Sequence, residues 1–285
     1  MILFDTHVHL YDPQYVARLL HNAHENFKIV GRGLGSNKST HDGVLCLTQT
    51  DKSLSVEQLL DIVNDKTGCP DCLGDWQTDA TNEKGSLALR TFSETGDPRV
   101  VFLINGQQIV SKEKQEVLSI ANNEPIAGGL SLNETISAIA ESGGISIIPW
   151  GVGKWLGTRG KVLKELLEMD SELPIFLGDN LARPKCWFHV PHFDMARKKG
   201  VKILNGSDPL NFSSELAKPG CFGVALPFAN LDHQRPAANI KALLLDHHQV
   251  KKNYGSPQSF RKFVATQLTL NLIRLRPNTA VRGPL

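Results

Sequence analysis

The chain has 285 residues, 41% of them hydrophobic and 21% charged, so it can bury a substantial core and is neither disordered nor fibrous in composition. A balance of 31 basic against 29 acidic residues leaves a formal charge of +2, which excludes the basic field that draws nucleic acid or a membrane surface. Five cysteines, at 46, 69, 72, 186 and 221, make no even disulfide framework and point to a reducing, cytoplasmic setting. No leader-like stretch precedes the first apolar run, and no run approaches the ~18 residues that span a bilayer.

Met1 to Phe4 reads as a short buried strand that delivers Asp5-Thr6-His7-Val8-His9 at its C-terminal end. A helix is expected from Pro13 to Asn26, a second strand from Gly43 to Thr48 ending at Gln49-Thr50-Asp51-Lys52, and a helix from Ser55 to Asn64. From Lys66 to Arg99 the text is irregular, with a possible hairpin near Trp76 and Leu87 to Phe92, and reads as an insertion. Within it Cys69 and Cys72 have redox or zinc spacing. No second such pair accompanies them, and two thiols in a surface turn are the plainer reading.

Val100 to Ile104 is a buried strand, and Gln108 to Val110 and Glu116 to Ile120 read as short strands joined by the turn Lys112-Glu113-Lys114. Ser131 with Glu134 three residues on forms a capping box, so a helix starts there and ends at Gly143-Gly144. Further strands are expected at 145–148, 175–177, 201–204 and 223–225, and helices at 160–169, 185–199, 236–246 and 257–274. About seven alternations of strand and helix predict a parallel sheet closed into an α/β barrel, a (β/α)7-8 TIM-like barrel. One domain is expected over 1–285, with the insertion at about 66–99 and a helical C-terminal extension at about 230–285.

His7-x-His9 at a strand end places two imidazoles on one face, because strand side chains alternate with period two, and two neutral imidazoles can chelate a divalent metal. A second apolar strand ends in Asn205-Gly206-Ser207-Asp208. First and last strands are neighbours in a closed barrel, so Asp208 is expected to reach the same ion, supplying an oxygen ligand and, through its free oxygen, a base for water. The structural alternative is that Asp208 caps the segment 209–215.

These residues carry a resemblance. The chain resembles the PHP (polymerase and histidinol phosphatase) family of metal-dependent phosphoesterases, which are amidohydrolase-like. The likeness lies in His7-Val8-His9, in the stretch from Gly106 through Glu124-Pro125-Ile126-Ala127-Gly128-Gly129 to Glu141-Ser142-Gly143-Gly144, and in Gly206-Ser207-Asp208. It covers residues 2–11, 43–52 and 100–210 and implies the distorted seven-stranded barrel of that family. Where the family has a Thr-Asp-His, this chain has Thr50-Asp51-Lys52. A family glutamate is replaced by Gln108, a His-Pro by Trp150-Gly151, and the final histidine by Leu210.

The resemblance thus implies a reduced centre: His7, His9 and Asp208 as ligands, with Gln108 offering a neutral carbonyl. One divalent ion (zinc, manganese or iron) is expected rather than two or three. Lys52, standing where a ligand would be, is expected to act in catalysis or to bind a substrate phosphate or carboxylate. Lys154 and Arg159, in the glycine-rich loop 151–160, clamp an anion or are solvated loop charges. Trp150 and Trp155 would wall an organic substrate, and Asp179 and Asn180, beside Arg183, are polar strand-end candidates. The alternative for Asn180 is capping of the helix after Pro184, and His24, His189, His192, His247 and His248 read as bland. Two functions remain open at this level: a metal-dependent hydrolase acting on a small anionic phosphoester, amide or ester, and a non-catalytic barrel that binds a small anion through Lys52, Lys154 and Arg159. No residue pattern speaks to oligomeric state.

Overall fold

The computed structural model describes residues 1–36, 41–65, 69, 71–169 and 173–274. Residues 66–68 and 70 of the expected insertion and 275–285 of the expected C-terminal extension lie outside them. In chain order the elements are β1 (Ile2–Val8), a 3-10 turn (Pro13–Tyr15), α1 (Val16–Gly33), β2 (Asp42–Gln49), α2 (Val56–Asp65), β3 (Gln77–Ala80), β4 (Ser86–Phe92), β5 (Pro98–Val110) and β6 (Glu116–Ile120). Then come α3 (Leu132–Glu141), β7 (Ile145–Pro149), α4 (Gly157–Glu168), β8 (Ile175–Asn180), α5 (Pro191–Lys198) and β9 (Ile203–Gly206). A second 3-10 turn (Ser213–Ala217), β10 (Gly223–Leu226), α6 (Pro236–Leu245), β11 (Lys252–Tyr254) and α7 (Phe260–Arg274) complete the described chain. None of the described helices is long and apolar enough to cross a membrane.

The strands form one nearly closed, barrel-shaped sheet in the order β11-β10-β1-β2-β5-β6-β7-β8-β9, with the β3–β4 hairpin added alongside β5. This corrects the expectation of seven or eight parallel strands. Parallel pairing joins β1 to β2, β2 to β5, β7 to β8 and β8 to β9. The middle of the sheet, β5 to β6 to β7, is antiparallel. The cause of the first reversal is local: Ser111 to Gln115 close a turn in which Ser111 N–H donates to Gln115 O, far too short for a crossover. The stretch from 98 to 110, expected as two strands, is one strand of 13 residues. The expected insertion contributes β4, which runs antiparallel along β5 from Ser86 opposite Ile104 to Phe92 opposite Pro98.

Helix boundaries differ in an instructive way. The capping box at Ser131 is present, with Ser131 Oγ accepting from Glu134 N–H and Glu134 Oε2 accepting from Ser131 N–H at 2.9 Å. The helix expected over 185–199 is confined to Pro191–Lys198, because proline sits at its first turn and disfavours helical geometry in the residue before it. His189 therefore lies outside that helix.

The inner core draws one or more side chains from nine strands, among them Ile2, Phe4, Val44, Cys46, Phe102, Ile104, Leu118, Ile147, Phe176 and Leu204. On the outer face, Leu3, Val8, Leu45 and Leu47 pack under Leu19, Leu20, Ala23 and Phe27 of α1. These two lists fix which way each strand residue points. In β1, Asp5 stands opposite Leu45 but Val8 stands opposite Leu47, so β1 carries one extra residue between them. This β-bulge inverts the alternation. Before it the even residues Ile2 and Phe4 point inward; after it Val8 points outward and the odd residues His7 and His9 turn into the barrel mouth. His7 and His9 thus share a face, as period two implies, while the extra residue turns that face inward and leaves Asp5 on the other.

The barrel is not closed by a backbone ladder between β1 and β9. Side chains and one backbone bond, from Asp208 N–H to His7 O, close it instead. Thr6 Oγ1 donates to Asn205 O at 3.0 Å, Asn253 takes Asn205 N–H and gives an amide hydrogen to Ile203 O, and Asn205 Nδ2 donates to Tyr254 O at 3.0 Å. Asp5 adds a buried staple: one carboxylate oxygen accepts from Ser207 N–H at 2.8 Å and the other from Gly220 N–H at 2.8 Å. Burial pushes the Asp5 carboxyl up to about 7, against the hydrogen bonds from Ser207, Gly220 and His7 that favour its charged form.

Candidate metal centre

Three inward-facing strand rows end in a polar residue at the C-terminal mouth: Ile104-x-Gly106-x-Gln108 on β5, Phe176-x-Gly178-x-Asn180 on β8, and Leu204-x-Gly206-x-Asp208 at the end of β9. A glycine separates core from mouth in all three rows. At Gly206 the reason is direct, since a β-carbon there would sit 2.6 Å from His7 Cβ and 2.8 Å from the His7 backbone nitrogen. His7 occupies the space that a side chain at 206 would need.

In the mouth His7 Nε2 lies 3.0 Å from His9 Nε2 and 3.1 Å from Gln108 Oε1. Asp208 Oδ1 lies 3.5 Å from both imidazole Nε2 atoms. His7, His9 and Asp208 are the one group of three metal-ligating side chains that converges among the described residues. Two donors, each ~2.1 Å from one ion at roughly tetrahedral angles, stand ~3.0–3.5 Å apart, so these separations suit a single divalent cation. Three donor atoms converge, with Gln108 Oε1 beside His7 Nε2, and two imidazole nitrogens at such a distance need a proton or a cation between them. The donor set fits a metal ion.

The protonation states suit one as well. Burial pushes His7 down to about 4, so its imidazole is neutral at neutral pH and its lone pair is free for a ligand. Burial would push Asp208 up, but His7 and His9 outweigh it and hold its carboxyl well below the usual carboxylate range. Asp208 keeps 18% exposure where the side chains of His7 and His9 keep 3% and 4%, so a ligand enters from the Asp208 side.

Asp208 is held from behind. Its N–H donates to His7 O at 2.8 Å, and its second oxygen, Oδ2, accepts from Asn180 Nδ2 at 2.9 Å; the same amide donates to Trp150 O at 2.8 Å. Its φ is +46°, a left-handed conformation that costs energy in a non-glycine residue and persists only where surrounding contacts enforce it. Two expectations are corrected here. Asp208 does not cap the following segment, whose N-cap is Phe212 with no side-chain bond. Nor is its second oxygen without a partner, since Oδ2 accepts one amide hydrogen from Asn180. Asn180 caps no helix; it orients Asp208.

The expected anion clamp does not assemble. Lys52 is exposed on the turn after β2 rather than buried beside the imidazoles. Lys154 is close enough to bear on His7 and Asp208, but it forms an ion pair with Glu116 of β6. Arg159 donates to the carbonyls of Gly153 and Lys114. Asp179 holds Arg183 through both carboxylate oxygens, at 2.8 and 2.6 Å. Trp150 and Trp155 are buried among Leu132, Leu163 and Phe193 instead of walling the mouth, with Trp150 packed edge-on against Trp187 at 5.4 Å.

Comparison with solved structures finds a likeness to PsfC from Pseudomonas syringae PB-5123, at 13% identity and a TM-score of 0.54, covering 95% of this chain and 98% of that one. The likeness is one of fold alone. A second structure, endonuclease Q in complex with a 27-mer duplex substrate carrying an abasic lesion at its active site, aligns at 11% identity and a TM-score of 0.42, over 93% of this chain and 66% of that one. No family model matches the chain, and no curated protein matches it.

Three groups near the centre escaped the sequence reading. Glu116 neutralises Lys154. Tyr11, whose ring lies 5.5 Å from that of His9, extends the series 7, 9, 11, and that spacing was a visible signal. The cleft formed by Leu10, Tyr11, Tyr15, Leu210 and Phe212 beside His9 had no signal, because its walls come from segments some 200 residues apart. Elsewhere, Cys69 and Cys72 are free thiols in a turn closed by Cys72 N–H on Cys69 O. His192 contacts Gly160 O of α4, and His189 pairs with Asp194.

Proposed function

We propose that the chain is a metal-dependent hydrolase with a single-ion centre, and a divergent relative of the PHP family that the sequence resembles. The observation that carries this reading is the convergence of His7, His9 and Asp208, from opposite ends of the sequence, on one point at the barrel mouth. A divalent ion held there would polarise a substrate oxygen and lower the pKa of a coordinated water.

The chain's own residues have defined parts. His7 and His9 donate neutral nitrogens, Asp208 donates Oδ1, and Gln108 offers a carbonyl oxygen next to His7. Asn180 fixes the Asp208 carboxylate through its other oxygen. The Lys154 ammonium, balanced by Glu116, is the cation available to a substrate oxygen at the mouth, so one anionic or strongly polar group is the substrate feature the site supports: a phosphoester, an ester or an amide. The alternative of a non-catalytic anion binder draws less support, because Lys52 is exposed on the turn after β2 and Arg159 is engaged by the carbonyls of Gly153 and Lys114, which leaves Lys154 alone at the mouth.

The test is metal analysis of protein purified without chelator and then reloaded with zinc, manganese or iron. One ion per chain, lost in a His7→Ala, His9→Ala double variant, is expected, together with metal-dependent cleavage of a generic phosphoester or aryl ester. A chain that takes up no ion under any of the three metals would sink the proposal.

A further inference from the structure

The mouth of the barrel opens sideways into a cleft of about 380 Å³ bounded by the loop after β1 and the loop after β9. His9 belongs to both metal centre and cleft. Beyond it the walls are Tyr11, Tyr15, Leu19, Leu210 and Phe212. The volume falls within the range of small-molecule sites, which are typically lined by apolar and aromatic side chains with a few polar groups to set orientation. No lysine or arginine lines it, and its one charged residue is Asp12, whose carboxylate accepts Gln14 N–H as a turn cap.

We infer that this cleft is the subsite for an uncharged aryl or alkyl arm of the substrate, attached to the polar group that the centre at His7, His9 and Asp208 receives. The inference rests on the hydrolase reading for the identity of the occupant as substrate. The argument for its chemistry is independent. An apolar arm gains from leaving water against Tyr11, Leu19 and Phe212. An anionic arm would lose its hydration, meet no cation, and face Asp12. A cationic arm would find a single carboxylate already engaged at a helix start. The position of His9 in the wall sets the geometry: the arm and the reacting group are joined directly, with no charged spacer between them.

The experiment uses the metal-free full chain and two matched probes observed by fluorine NMR, para-fluorobenzyl alcohol and para-fluorobenzoate. The alcohol is expected to bind saturably, and the benzoate about tenfold more weakly or worse. Ser213→Trp, at an exposed position on the rim, fills the cleft and should weaken the alcohol by about tenfold. Tyr15→Lys, also at an exposed position, should reverse the preference toward the benzoate, and it guards against a Ser213 variant that misfolds. His7→Ala, which removes a ligand outside the cleft wall, should leave the alcohol bound. No saturable binding of the alcohol, equal binding of the two probes, or no change in either rim variant overturns the inference. Alcohol binding in a chain that takes up no metal would uphold the cleft and reject the hydrolase reading, so the two stand or fall separately.

Discussion

Gly206 and His7 share one volume: a β-carbon on the first would lie 2.6 Å from the β-carbon of the second. Gly206→Ala should therefore push β1 away from β9 where the two ends of the centre meet. Overpacking of this kind typically costs about 1–3 kcal/mol. We expect a lower urea midpoint together with lost metal stoichiometry, and a variant that binds metal like the wild type would show that the packing is slack.

Asn180 is a positioning residue for Asp208. Removing the amide in Asn180→Ala frees Oδ2 and leaves the carboxylate to rotate, and losses of supporting groups behind a ligand commonly weaken metal affinity about 10–100-fold. A zinc competition titration reads this directly. Asn180→Ser, which keeps a donor, should recover part of the loss; no recovery would assign the effect to packing around Trp150.

Lys154 and Glu116 make a paired charge at the edge of the centre. In Glu116→Gln the ammonium is uncompensated and repels a divalent ion, so metal affinity should fall several-fold. Adding Lys154→Met to the same chain should restore it. Two additive losses would mean the pair acts on the centre only through structure.

The buried His7 gives a pH signature to the metal-free protein. Its folded pKa, about 4, lies below the ordinary 6.5, so as pH falls from about 6.5 to about 4 the unfolded chain takes up a proton that the folded chain refuses. Stability from this source is complete above about 6.5 and is lost downward through that window, by no more than about 1.4 kcal/mol per pH unit. Asp5, raised to about 7, works with the opposite sign: its contribution favours the folded state at low pH and fades as pH rises toward about 7. Subtracting the urea stability of His7→Ala from that of wild type cancels Asp5, which both carry. The difference should grow with pH between about 4 and 6.5, and parallel curves would refute the burial argument for His7.

How much of this was legible in the sequence depends on range. The residues of the centre were legible, because His7-x-His9 and Asp208 each follow an apolar strand and strand ends deliver polar groups to a barrel mouth. Their orientation was not. The bulge between Asp5 and Val8 depends on where β1 pairs with β2, and nothing local in Phe4-Asp5-Thr6-His7 announces it. Antiparallel pairing of β5, β6 and β7 was half visible in the short turn at Lys114, whose φ of +64° is a turn conformation. Lys52, Trp150 and Arg159 failed for a common reason: a residue in a promising loop still has a free choice of neighbours, and Lys52 went to solvent, Trp150 to the hydrophobic core, and Arg159 to carbonyl groups.

The seam between β1 and β9 has a further consequence for how the molecule is made. Thr6 and Asn205, which bridge it, are 199 residues apart in sequence. Contacts of that separation carry a high loop-closure entropy. A nascent N-terminus carrying only His7 and His9 has two ligands and no carboxylate, and holds an ion weakly. Asp208 joins them when the last parallel strand docks. The centre is complete only once β9 lies against β1, so ion uptake followed during refolding would serve as a clock for the closing of that seam.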